Sequence, residues 1–280
     1  MSHVFLPPDL DRLWDILAET PGAIVYAGGT DLLVRLRQSR SKPPSLVCLE
    51  RIEELQGVRE RADEVFLGAC ATHTSLLADP LISRNFPILV KGLTCLGSPQ
   101  IRNAGTIGGN ICTASPAGDA LPPLYTLDAE LEIRSRNSSR RMALKDFILG
   151  PGKTRLGQGE ILAGVWLNSH PPFTIQHFEK VGQRNALAIS LVSLAALLTV
   201  SAAGIIEGVR LAWGSVAPTI ATSTAVEAML TGRSLSRETL DDVLPLVRDA
   251  ISPINDTRAT ALYRHTVAGR LLLRLLEAER

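Results

Sequence analysis

Apolar positions along the first third of the chain alternate between helical and strand spacing. Leu10, Leu13, Trp14 and Leu17 recur at helical intervals within 9–19, behind Pro8 and Asp9 as starters and ahead of Thr20-Pro21-Gly22 as a stop. A short apolar run at 23–27 then meets Gly28-Gly29-Thr30-Asp31 and a second helical pattern through Leu32, Leu33 and Leu36. This spacing predicts strand, tight turn and helix. Further strands are expected at 46–49 and 64–69, and helices at 74–77 and 86–97. The β-then-α rhythm predicts an α/β arrangement for this part of the chain.

From 98 to 119 the pattern gives way to a segment rich in Gly, Asn, Ser and Pro, which reads as one long loop. Compact domains seldom carry such a loop without a functional reason. Strands follow at 127–134 and 160–167, with a polar turn at 136–141. His170-Pro171-Pro172 is the expected domain boundary. Beyond it the spacing predicts a strand at 173–180, a buried helix at 186–200, a strand at 205–213 and helices at 219–231, 236–249 and 258–278, hence an α+β second domain.

Composition narrows the functional classes. The 29 Lys+Arg and 28 Asp+Glu leave a net charge of +1, too balanced for an electrostatic nucleic-acid binder. A hydrophobic share of 45% excludes disorder. The longest apolar stretch, 186–200, is 15 residues and is interrupted by Ser190, Ser193 and Thr199, so no membrane span is expected. Asp9, Asp11, Arg12 and Asp15 stand where a signal peptide needs an apolar block, which points to the cytoplasm. Cys48, Cys70, Cys95 and Cys112 form no C-x-x-C pair, so no metal or iron–sulfur site of the chain's own is expected.

Two glycine-rich turns are the candidate chemistry. In Gly28-Gly29-Thr30-Asp31 a glycine pair between strand and helix lets a phosphate approach the backbone, although a plain turn capped by Thr30 or Asp31 remains open. The second turn, Gly105-Thr106-Ile107-Gly108-Gly109-Asn110, brings Asn103, Thr106 and Asn110 onto one loop rich in N–H donors. Two such turns favour a dinucleotide. Neither is a G-x-G-x-x-G fingerprint. Gly152-Lys153-Thr154 is not a phosphate loop of the Walker type, because Phe147 occupies the place of its first glycine, and no G-x-S-x-G is present. His73 reads as a surface or capping residue, and His177 and His265 as parts of a strand and a helix. No paired-carboxylate or nucleophile–base constellation is apparent, so no catalytic side chain is assigned. The chemistry is expected to rest on a cofactor.

Taken together, AGGTDLL (27–33), the run from Arg102 to Ser135 containing TIGGN and SPAGD, GPGKT (150–154), FEKVGQRNALAIS (178–190), AVEAML (225–230) and TALYRHTVAGRLLLR (260–274) resemble the FAD-binding, medium-subunit flavoproteins of the molybdenum hydroxylases, including xanthine dehydrogenase and aerobic carbon monoxide dehydrogenase. The resemblance implies an α+β fold: a two-part FAD-binding domain of the vanillyl-alcohol-oxidase (PCMH) type over 1–171 and the family's smaller α+β C-terminal domain over 172–280. It matches Gly28, Gly29, Thr30 and Asp31 to the first pyrophosphate turn, and Thr106, Gly108, Gly109 and Asn110 to the second. Asp119 falls near the nucleotide's sugar, and Leu162 and Lys180 near the flavin. The neighbouring Ala27, Leu32, Asn103 and Ile107 complete the expected set.

The resemblance further implies a molybdopterin-binding large subunit and a [2Fe–2S] small subunit as partners, with FAD collecting electrons for NAD or another acceptor. The lack of a cysteine-bearing insertion departs from the benzoyl-CoA reductase branch. Rival readings are a self-sufficient flavin oxidase of the same fold and a non-enzymatic nucleotide-binding assembly protein.

Overall fold

The computed structural model describes residues 3–38, 44–169 and 173–278, and within these the chain gathers into two compact units. The first comprises Met1–Pro80, Ser98–Thr113 and Ala129–Ser169, and the second Leu81–Gly97, Ala114–Asp128 and His170–Arg280. The expected boundary at His170-Pro171-Pro172 lies outside the described residues.

In the first unit the β-then-α rhythm builds a small parallel sheet. Strands β1 (Val4–Phe5), β2 (Ile24–Tyr26) and β3 (Leu46–Cys48) lie in the order β1-β3-β2, with Val4 and Ile24 both opposite Leu46. The crossover from β1 to β2 is the helix Leu10–Glu19. Asp9 caps it, its Oδ1 accepting from the Arg12 N–H at 2.8 Å, and Leu13, Trp14 and Ile16 are buried. The helix Leu32–Gln38 links β2 to β3 and buries none of its residues.

The remaining strands depart from that rhythm. β4 (Val58–Arg61), β5 (Glu64–Gly68), β6 (Glu130–Arg134), β7 (Ser139–Ala143) and β10 (Ile161–Asn168) form a five-stranded sheet ordered β4-β5-β10-β6-β7, antiparallel at every pairing. Between β7 and β10, β8 (Ile148–Gly150) and β9 (Lys153–Thr154) pair as a hairpin. The parallel α/β expectation therefore holds for three strands, while the unit as a whole is α+β. The polar turn expected at 136–141 is shorter, because Ser139–Ala143 is a strand. Its arginines are held by residues distant in sequence: Arg141 bonds Glu64 at 2.8 Å and covers the Trp166 ring at 4.0 Å.

The second unit is built on an antiparallel sheet of β11 (Ile175–Val181), β12 (Val192–Val200) and β13 (Ile206–Gly214). Here the expected buried helix at 186–200 is overturned: 192–200 is the central strand. Both faces are covered, so Val192 through Leu198 are all buried and the period-two signal disappears. Helices Pro87–Thr94 and Leu121–Thr126 pack on this sheet, as does Ala261–Leu271. The loop expected over 98–119 also contains two short helices, Pro99–Ala104 and Ile107–Thr113. Ser98 caps the first and Pro99 opens it, a start signal that the surrounding Gly and Asn content obscures. No helix of the described residues is long and apolar enough to cross a membrane.

One buried cation ties the second unit together. Arg264, 4% exposed, donates from Nη1 to the carbonyls of Leu191 (2.6 Å) and Ser215 (3.0 Å), and from Nη2 to both oxygens of Asp256. Arg264→Met should strand the two carbonyls and lower stability by about 2–3 kcal/mol in urea unfolding. A loss below about 0.5 kcal/mol, within the range of ordinary surface substitutions, would show that the guanidinium is not the tie.

Candidate functional site

The first glycine turn is defined by a close approach. A Cβ on Gly28 would stand 1.6 Å from the Ala104 carbonyl oxygen and 3.1 Å from the Gly105 nitrogen, so no other residue fits there without displacing backbone. Gly29 has φ +69°, a conformation natural to glycine. The turn thus sits directly on the segment that joins Pro99–Ala104 to Ile107–Thr113, and the two glycine-rich segments meet. Asp31 strengthens the meeting by accepting from Thr113 Oγ1 at 3.3 Å, and it also pairs with Arg35 at 3.1 Å. The Gly29 carbonyl accepts from the Leu33 N–H, whereas the N–H groups of Gly29, Thr30, Asp31 and Leu32 have no partner among the described residues.

The second turn spends its donors internally. Ile107 and Gly108 donate to the carbonyls of Ala71 and Ala69 at 3.0 and 2.9 Å, Gly109 to Thr106 Oγ1 at 3.1 Å, and Asn110 to the Thr106 carbonyl at 2.9 Å. Gly108 is required for this seat, because a Cβ there would lie 2.7 Å from the Ala69 oxygen. Gly109 differs: its Cβ would meet only Thr106 Oγ1, at 3.0 Å. Asn110 Oδ1 is buried without a partner, while Asn103 accepts from Thr74 Oγ1 at 2.6 Å.

His73 is 2% exposed, which corrects the surface reading, and Thr72 rather than His73 caps the helix His73–Ala78. The His73 N–H donates to the Gly105 carbonyl at 3.0 Å, and its ring lies 3.3 Å from where a Gly105 Cβ would be. Burial, aided by the Arg102 charge, pulls the imidazole down to about 4, so it is neutral at pH 7.

A cleft of about 120 Å³ opens beside these turns. Of the expected residues, Ala27, Gly108, Gly109 and Leu162 line it, the last from β10. Sequence reasoning missed Tyr26, Cys70, Cys112 and Glu160 on the same walls. Periodicity could have found Tyr26 as the last residue of β2. Burial pushes the Cys112 thiol up to about 12, and burial with Cys48 and Glu50 does the same to Cys70, so both thiols stay protonated.

Asp119 and Lys180 belong to the second unit and form a buried pair, 7% and 10% exposed at their side chains. Lys180 Nζ donates to Asp119 Oδ2 at 2.6 Å and to the Cys95 carbonyl at 3.0 Å. Asp119 Oδ1 is buried with no partner. Burial raises the carboxyl to about 6 despite the neighbouring ammonium. Among the described residues no group of three or more His, Cys, Asp or Glu could hold a metal ion.

Comparison with known proteins identifies the family. Residues 1–167 match the family described as FAD binding domain in molybdopterin dehydrogenase, and residues 177–278 the CO dehydrogenase flavoprotein C-terminal domain. The nicotinate dehydrogenase FAD-subunit of Eubacterium barkeri is 32% identical, covering 93% of this chain and 90% of that protein. The carbon monoxide dehydrogenase medium chain of Hydrogenophaga pseudoflava is 27% identical, covering 91% of this chain and 88% of that one. A solved structure of quinoline 2-oxidoreductase from Pseudomonas putida 86 superposes with a TM-score of 0.93 at 27% identity, covering 99% of this chain and 96% of that one. The chain is therefore an FAD-binding oxidoreductase subunit and belongs to the medium-subunit flavoprotein family of the molybdenum hydroxylases.

Proposed function

We propose that this chain works within a multi-subunit complex, taking electrons from a [2Fe–2S] partner and passing them through FAD to NAD or another acceptor, while a molybdopterin-binding subunit oxidises the organic substrate. The observation that carries the reading is the seating of Gly28 on Ala104, which makes one surface of two glycine turns beside a cleft lined by Gly108, Gly109 and Leu162. FAD suits the task because it exchanges electrons singly or in pairs.

The chain's own residues would hold and shield it. The unpaired N–H groups of Gly29 to Leu32 are donors for pyrophosphate oxygens, so no basic patch is required. Gly108 and Gly109 keep the cleft floor free of side chains. Leu162 offers an apolar wall, and the protonated Cys70 and Cys112 add no charge. Ala27, Asn103, Thr106, Ile107 and Asn110 shape the two turns. Asp119 Oδ1, an acceptor without a donor, suits a sugar hydroxyl, and Lys180 keeps its carboxylate in place. We place the FAD-binding domain at 1–171 and the C-terminal domain at 172–280. The proposed compartment is the cytoplasm, where the free thiols of Cys48, Cys70, Cys95 and Cys112 stay reduced.

The FAD-loaded chain should oxidise NADH with an artificial dye and turn over no organic substrate alone; oxidation of such a substrate by the single chain would favour a self-sufficient oxidase. Gly109→Val should cut FAD content by roughly tenfold or more while the far-ultraviolet circular dichroism stays native, because branched methyls would enter the cleft. Undiminished flavin absorbance would remove Gly109 from the site. A pH series tests Asp119. Its carboxylate acceptor is present above about 6 and is lost as pH falls through that value, so FAD affinity should weaken on acidification in the wild type. Asp119→Asn should bind FAD more weakly with no such step. An identical step in both proteins assigns it elsewhere.

A further inference from the structure

The helices Leu244–Ala250 and Ala261–Leu271 touch at Gly269, where a Cβ would stand 2.9 Å from Leu244 Cδ2. Beside that contact lies a surface cavity of about 220 Å³ lined by Leu244, Arg248, Leu262, His265, Gly269 and Arg270. None of its lining residues is a carboxylate.

Five arginines of this unit pair with a carboxylate, whereas exposed Arg84 and Arg237 do not among the described residues, nor do Arg248 and Arg270, which are exposed as well but share one cavity. Arg210 pairs with Asp128 at 2.9 Å, Arg233 with Asp242 at 2.6 Å, Arg274 with Glu179 at 3.0 Å, and Arg258 and Arg264 share Asp256. Arg248 and Arg270 have neither a carboxylate nor a carbonyl partner among the described residues. Each lies in the last turn of its helix, and the helix dipole accounts for one cation in that place. It does not account for two cations, one from each helix, lining a single cavity. With no carboxylate among the lining residues, an anion entering the cavity would meet positive charge only. His265 adds an imidazole whose Nδ1 is buried without a partner. Leu262, 70% exposed, and Leu244 supply an apolar side.

We propose that this cavity is an anion site that takes the phosphate group of a small molecule. Two guanidiniums neutralise a dianion, whereas a carboxylate would leave one charge unmatched, and guanidinium forks suit phosphate oxygens. The leucines receive the non-polar part of the ligand. This site draws on none of the residues assigned to FAD.

The test uses the full chain with inorganic phosphate, titrated against sodium chloride of equal ionic strength while melting temperature is followed. The expected result is a saturable rise specific to phosphate. Arg248→Ala and Arg270→Ala should each weaken it by roughly tenfold or more, and the double substitution should abolish it. Arg237→Ala, an exposed arginine outside the cavity, should respond as the wild type does. A rise matched by chloride, or one unchanged in the cavity variants, overturns the proposal and leaves the arginines as dipole partners. Should a variant not fold, the guanidinium Nε–H resonances of the unaltered chain decide. Phosphate must shift those of Arg248 and Arg270, and unmoved resonances overturn the site.

Discussion

The contact on which the candidate site depends is the seat of the Gly28 backbone against the Ala104 carbonyl. At 1.6 Å from that oxygen, even a methyl group is excluded, so the approach exists only because residue 28 has no side chain. Everything local follows from it. The loop after β2 is pressed onto the loop before the helix Ile107–Thr113, Asp31 comes within reach of Thr113, and Ala27 and Gly109 line a common cleft. The same device recurs where Gly108 lets the helix start rest on Ala69, the residue that follows β5. Glycine here sets the distance between backbones more than it supplies unusual torsions.

The polar groups divide by what they are left to do. The second turn's N–H groups are consumed in fastening that turn to Ala69, Ala71 and Thr106, whereas four N–H groups of the first turn remain available. His73, neutral and buried against Gly105, supports the turn without contributing charge. Asp119 is held through one oxygen by Lys180 and keeps the other free. A buried acceptor without a donor is costly, which is the physical reason to expect a ligand hydroxyl there.

Where local pattern and final structure agree, the cause is local too. The helix at Leu10–Glu19 carries its own cap and apolar stripe, and the turn after β2 announces itself with two adjacent glycines. Where they differ, a distant residue intervened. The apolar run at 192–200 imitates a buried helix because strands pair with both of its edges and helices pack on the sheet, leaving neither face in water. The arginines of Ser139–Ala143 look like a turn until Glu64 and Trp166 are brought beside them. His73 looked like a surface residue because nothing in its neighbourhood along the chain says that Gly105 will close over it.

By itself, then, the amino-acid sequence determined the family, the two glycine turns and the cofactor class, because small-residue motifs and capping signals are written in consecutive positions. Only the tertiary structure decided that the turns meet, which of their N–H groups stay free, that Cys70, Cys112 and Tyr26 share the cleft, and that Arg248 and Arg270 line one cavity. Those outcomes depend on burial and on pairings between segments far apart along the chain, and no local pattern encodes them.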